Sequence, residues 1–128
     1  MFIIEEDNTI HLTRGDIATI EISTIDEATG GDYTFKTGDV VRLTVVEKKR
    51  YDSVVLKKDV VVSGSTTVVD MMLGTNDTRF GEVINKPTEY YYEIELNPDT
   101  APQTIIGHDN EDGAKFFILY PEGSGAND

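Results

Sequence analysis

The stretch YYYEIEL, residues 90–96, alternates between apolar and polar side chains along its length. In an extended strand, successive side chains point to opposite faces of the sheet. One face of this stretch carries Tyr90, Tyr92, Ile94 and Leu96. The opposite face carries Tyr91, Glu93 and Glu95. The pattern predicts a strand with one face in a core and one in water, as antiparallel sheets usually have.

The stretch IATIEIS, residues 17–23, repeats this alternation and places Ala18, Ile20 and Ile22 on one face. Elsewhere, segments rich in Val, Ile, Thr and Tyr are separated by Gly, Asp, Asn and Ser, which predicts short strands joined by turns. The predicted strands are Phe2–Glu5, Thr9–Leu12, Ile17–Ser23, Val40–Val46, Val54–Val62, Thr67–Leu73, Tyr90–Leu96, Thr104–Ile106 and Lys115–Tyr120.

Many short strands with frequent turns predict an all-β fold, and we expect an immunoglobulin-like antiparallel β-sandwich. A small β-barrel is the alternative. The Cys and Trp that mark true immunoglobulin domains are missing, because the chain contains neither residue. One stretch departs from the β pattern and predicts a short helix or turn near residues 76–82, which Pro87 would stop.

The length of 128 residues suits one domain, which we assign to residues 1–120. The last eight residues, PEGSGAND at 121–128, are polar and glycine-rich. They predict a flexible tail that does not pack on the domain.

The composition argues against several classes of partner. The formal net charge is -13, and nucleic-acid phosphates attract clustered Lys and Arg, so nucleic acid is not expected as a partner. The apolar runs VVV and FFIL are too short to cross a bilayer, and MFIIEEDN does not read as a signal peptide, so no membrane partner is expected. The chain has no cysteine and hence no disulfide or thiolate metal site.

The tripeptide Arg14-Gly15-Asp16 has the letters of an adhesion motif. It opens TRGDIATIEI at residues 13–22, which resembles KTGDVVRLTV at residues 36–45. The two copies share Gly-Asp before an alternating strand, whereas the arginine is replaced by Thr37 in the second copy. Glycine and aspartate both favour tight turns. We therefore interpret the tripeptide as a turn that starts a strand, with Arg14 as a surface charge.

No catalytic or cofactor motif is present, and histidine occurs only as His11 and His108. We therefore expect no enzyme activity and no cofactor. The loop HDNEDG, residues 108–113, has oxygen ligands that calcium could use, but it lacks the spacing of a calcium loop. We favour a polar loop with a turn at Asp112-Gly113, and we assign no metal site.

The basic residues cluster where a β-hairpin is predicted. If the strands at 40–46 and 54–62 pair, the tip of the hairpin carries Lys48, Lys49 and Arg50 on an otherwise acidic chain. These charges predict either a solvated hairpin end or electrostatic docking on an acidic neighbour, including a second copy. On the polar face of the strand at 90–96, Tyr91 is a further candidate contact, for a partner protein or a sugar.

The order of these features resembles the N-terminal β-sandwich domain of baseplate and tail-tip proteins from phages of Gram-positive bacteria, the upper-baseplate-protein type. The resembling segments are RGD before IATIEIS, TGDVVRLTV, VLKKDVVV, DTRFGE, KPTEYYYEIELNPDT, and TIIG followed by GAKFFILYPEG. The resemblance implies a non-enzymatic structural role in a virion, with other tail proteins as partners and possible assembly of several copies. An extracellular module that binds carbohydrate or a receptor is the alternative.

Overall fold

The computed structural model describes residues 1–110 and 113–122. Within these residues it contains nine strands and one short helix, α1 (Thr75–Thr78), so the predicted all-β class is confirmed. The strands are β1 (Phe2–Ile4), β2 (Ile10–Thr13), β3 (Ala18–Ile22), β4 (Val40–Glu47), β5 (Arg50–Val61), β6 (Val69–Leu73), β7 (Thr88–Leu96), β8 (Gln103–Ile106) and β9 (Lys115–Tyr120).

Every predicted strand corresponds to an observed strand. The largest difference is at β5, which begins at Arg50 instead of Val54. The helix or turn predicted near residues 76–82 is a single helical turn that already ends at Thr78. Within the described part of the chain, no helix is long and apolar enough to cross a bilayer.

The strands form one large sheet and one small sheet. The large sheet has the order β1-β2-β9-β7-β4-β5, and β8 pairs with the end of β7 that β9 leaves free. The small sheet is the antiparallel pair of β3 and β6.

The prediction of a purely antiparallel fold is wrong at one position, because β2 and β9 run parallel, with Ile10 opposite Phe117. These strands come from the two ends of the chain, so no short turn dictates their relative direction. Side-chain alternation reports which face of a strand is buried, but it does not report the direction of its neighbour.

Both sheets contribute their apolar faces to one hydrophobic core. The predicted inward residues of β3 and β7 are all buried, which confirms both alternation patterns. Phe35 and Phe117 are the largest fully buried side chains. Phe80, from the loop after α1, packs edge-on against Tyr90 and Phe117, with ring centroids 5.0 and 5.3 Å apart. This loop therefore closes one part of the core.

The two Gly-Asp turns of the sequence echo are confirmed. Gly15 has φ of +88° and Gly38 has φ of +94°, both in the left-handed region that favours glycine. An added Cβ at Gly38 would meet nothing within 4 Å, whereas one at Gly15 would lie 3.0 Å from Cδ of Glu122. The two turns thus share a backbone shape but not their surroundings.

Candidate interaction surface

The predicted hairpin exists, and its tip is a two-residue turn. β4 and β5 pair antiparallel, Glu47 lies opposite Arg50, and Lys48 and Lys49 form the turn between them. The pairing is irregular just before the turn, because Val46 lies opposite Val54 whereas the next residue, Glu47, lies opposite Arg50. The turn holds the predicted basic residues at one end of the large sheet.

The three basic residues of the tip differ in their surroundings. The Lys48 ammonium donates to Oε1 of Glu89 at 2.8 Å and lies 5.3 Å from the centroid of the Phe116 ring. The hydrogen bond to Glu89 raises the pKa of Lys48. Lys49 and Arg50 are exposed and make no ion pair with the residues that the structure describes. The charge available to a partner therefore resides mainly on these two residues.

Tyr91 belongs to a row of apolar side chains across the outer face of the large sheet, which points away from the core. The pairing of β9, β7, β4 and β5 brings Phe116, Tyr91, Val46 and Val54 into this row. The rings of Tyr91 and Phe116 lie 5.4 Å apart, and Val54 is 52% exposed. Because Lys48 lies over Phe116, the structure joins two separately predicted features, the tip and Tyr91, in one surface. We call this surface the tip–Tyr91 surface, and it consists of Lys48, Lys49, Arg50, Val46, Val54, Tyr91 and Phe116.

A shallow cleft lies beside this row. Its volume is about 290 Å³, and its lining includes Thr44, Val46, Tyr91, Glu93 and His108. Partial loss of hydration raises the pKa of Glu93, and the negative charge of Glu95 adds to the effect. The cleft thus combines an aromatic ring with a carboxylate and an imidazole. It also brings Tyr91 together with His108, the first residue of the loop at 108–113.

The calcium hypothesis for residues 108–113 is not tested, since Glu111 and Asp112 lie outside the described residues. In the described part of this loop, Oδ2 of Asp109 accepts a hydrogen bond from Nζ of Lys115 at 2.7 Å. Among all described residues, no group of three or more His, Asp or Glu side chains is arranged to hold a metal ion.

The interpretation of Arg14 as a surface charge is wrong. Arg14 is only 8% exposed, and its guanidinium donates to Oε1 of Glu122 and to the carbonyl oxygen of Arg79, both at 3.1 Å. Arg79 also binds Glu122, at 2.8 Å from Nε and 3.1 Å from Nη2. Two arginines therefore enclose one carboxylate. A buried guanidinium in these contacts is not presented to an adhesion receptor.

Glu122 also corrects part of the expectation for the C-terminal tail. Its side chain is 4% exposed and lies between the two arginines, although the sequence placed it in a tail that does not pack. The remaining tail residues, 123–128, lie outside the described residues. Nothing near Glu122 in the sequence signals this contact, because Arg14 is 108 positions away.

Comparison with protein-family models, curated proteins and solved structures returns no match for this chain. The resemblance to baseplate domains therefore stays a prediction.

Proposed function

We propose that this chain is a non-enzymatic structural module of a phage or prophage tail or baseplate, and that it acts through protein–protein contacts in the virion. The finer fold belongs to the same proposal: an immunoglobulin-like β-sandwich whose two sheets face each other across the shared core. The order of turns and strands in the sequence supports both statements.

The observation that carries the proposal is the tip–Tyr91 surface. It combines aromatic and aliphatic side chains on the outer face of the large sheet with exposed positive charge at Lys49 and Arg50. Interfaces are enriched in Tyr, Phe and Arg, and charge at the rim selects the partner and speeds association. On a chain with a net charge of -13, this small basic region favours an acidic neighbour.

If the chain is a tail component, it should be present in assembled particles, and Lys49 should contribute to its assembly there. In the host strain that carries the gene, antibody against the chain should label one end of purified tails in electron micrographs. Lys49→Glu should lower the amount of the protein in those particles. The loss should be larger in particles prepared at low salt than in particles prepared at high salt, because high salt screens exposed charges.

Lys36→Glu is the matched control, since Lys36 is also exposed but precedes β4 and therefore lies at the end opposite the hairpin tip. Its incorporation should equal that of the wild type. Absence of the wild-type protein from purified particles would refute the tail role. Equal incorporation of both variants would refute the role of the tip.

Carbohydrate binding is the second candidate function, and the cleft beside Tyr91 favours it. An aromatic ring can stack on a sugar, while Glu93 and His108 can bind its hydroxyls. Binding of the chain to a glycan array should be lost in Tyr91→Ala and kept in Tyr91→Phe, which retains the ring. Failure of the wild type to bind any glycan would exclude this candidate.

A further inference from the structure

Strand β5 forms one edge of the large sheet, and β4 is its only partner among the described strands. It is twelve residues long, and its pairing with β4 is regular from Leu56 to Val61. An edge of this kind presents a row of unpaired N–H and C=O groups that a further strand can bind.

The backbone hydrogen bonds show which residues of β5 present those groups. Val62 donates to Asp39 at 2.8 Å and accepts from Gly38 at 3.0 Å, so its backbone points toward the β4 side. Val40, the partner of Val61, instead accepts from Asn97 at the β7 side. Since the direction alternates along an antiparallel strand, the groups of residues 57, 59 and 61 point away from the sheet.

We propose that this edge binds the same edge of a second copy, so that two antiparallel β5 strands join the large sheets of a two-fold dimer. Hydrogen bonds between the two strands require that residues whose backbone N–H and C=O groups point away from the sheet lie opposite one another. Three registers meet this condition with the two-fold axis at or between Lys57 and Asp59. Lys57 opposite Lys57 and Asp59 opposite Asp59 each place like charges together, which is unfavourable. Only the third register places Lys57 opposite Asp59, and it does so twice.

That register passes the two-fold axis through Lys58, and Leu56 lies opposite Val60 of the second copy. The two Lys58 side chains would meet near the axis, but each ammonium already donates to Oδ2 of Asp77 at 3.0 Å. The like charges at the axis are therefore neutralised within each copy. The edge is self-complementary in charge and in apolar character.

The side chain of Asp59 is already fixed for this contact. Arg42 donates to both of its oxygens, at 2.7 and 3.0 Å, and also to both oxygens of Asp99, at 3.0 and 2.9 Å. One guanidinium thus faces two carboxylates, and Lys57 of the same copy lies near both of them. Lys57 of the second copy would add a positive charge there. Val61, 66% exposed, would lose solvent contact in the same step.

Sedimentation of the full chain over a range of concentrations tests the proposal. The wild type should show a reversible monomer–dimer equilibrium. Val61→Pro should remain folded, because its missing N–H points away from β4, yet it should be monomeric at the concentrations where the wild type is dimeric. Val61→Thr keeps the N–H and should dimerise like the wild type. Circular dichroism checks that both variants are folded.

A second variant tests the register without changing the backbone. Lys57→Asp places a carboxylate opposite Asp59 at both symmetric positions, and we expect the dimer to dissociate about tenfold more readily. A wild type that is monomeric throughout overturns the proposal, as does an assembly of three or more copies, since two-fold edge pairing closes at two. Unchanged dimerisation of Val61→Pro also overturns it.

Discussion

At the residue scale, the RGD tripeptide shows how a recognisable motif can serve the interior of a fold. Its glycine takes the left-handed conformation, and its arginine is buried against Glu122. The sequence echo predicted the turn correctly, because turn formation depends on the residues that make it. It missed the role of Arg14, since the partner carboxylate comes from the far end of the chain.

Alanine substitution at the two Gly-Asp turns separates backbone strain from crowding. Gly15→Ala and Gly38→Ala should each cost about 1–2 kcal/mol of unfolding free energy, because both residues have positive φ. Only Gly15→Ala also forces Glu122 to move, which should add about 1–3 kcal/mol. Urea denaturation of both variants gives the comparison. Equal losses would contradict the close approach of Glu122 to this turn.

At the element scale, the segment that follows β9 is held by charge. Hydrogen bonding to Arg79, with further contributions from Arg14, lowers the pKa of Glu122. A carboxylate with a lowered pKa in the folded state stabilises the protein above its unfolded pKa of about 4.3. This contribution is lost as the pH falls toward the folded pKa.

Glu122→Gln should therefore have a lower melting temperature than the wild type at pH 7, and the difference should shrink as the pH falls below about 4. Thermal melts followed by circular dichroism between pH 7 and pH 3 measure it. Glu27→Gln is the control, since Glu27 is exposed in a loop and makes no ion pair with a described residue. A constant difference across this range would show that the glutamate charge does not hold the segment.

The observed strands agree with the predicted ones because period-two alternation depends on which side chains must leave water. The helix or turn predicted near residues 76–82 is one helical turn, Thr75–Thr78, followed by a loop. Phe80, inside the predicted range, packs into the core from a loop. A single aromatic residue at that position carries no periodicity, so the sequence could not separate a helix from an irregular segment.

At the scale of the whole molecule, the large sheet sets both candidate contacts. The tip–Tyr91 surface occupies its outer face, and the β5 edge lies at its side. The two surfaces meet at β5, which carries Arg50 and Val54 of the first and Lys57, Asp59 and Val61 of the second. Sedimentation tests the dimer, and particle labelling tests the virion role.

The sequence alone determined the all-β class, the approximate position of each strand and the faces that β3 and β7 bury. Each of these follows from local patterns of apolar side chains and turn residues. Only the tertiary structure decided that β2 and β9 run parallel, that Tyr91 lies beside Lys48 and Phe116, and that Arg14 is buried. These facts join residues far apart in the chain, and local propensity contains no information about which distant group satisfies a buried charge.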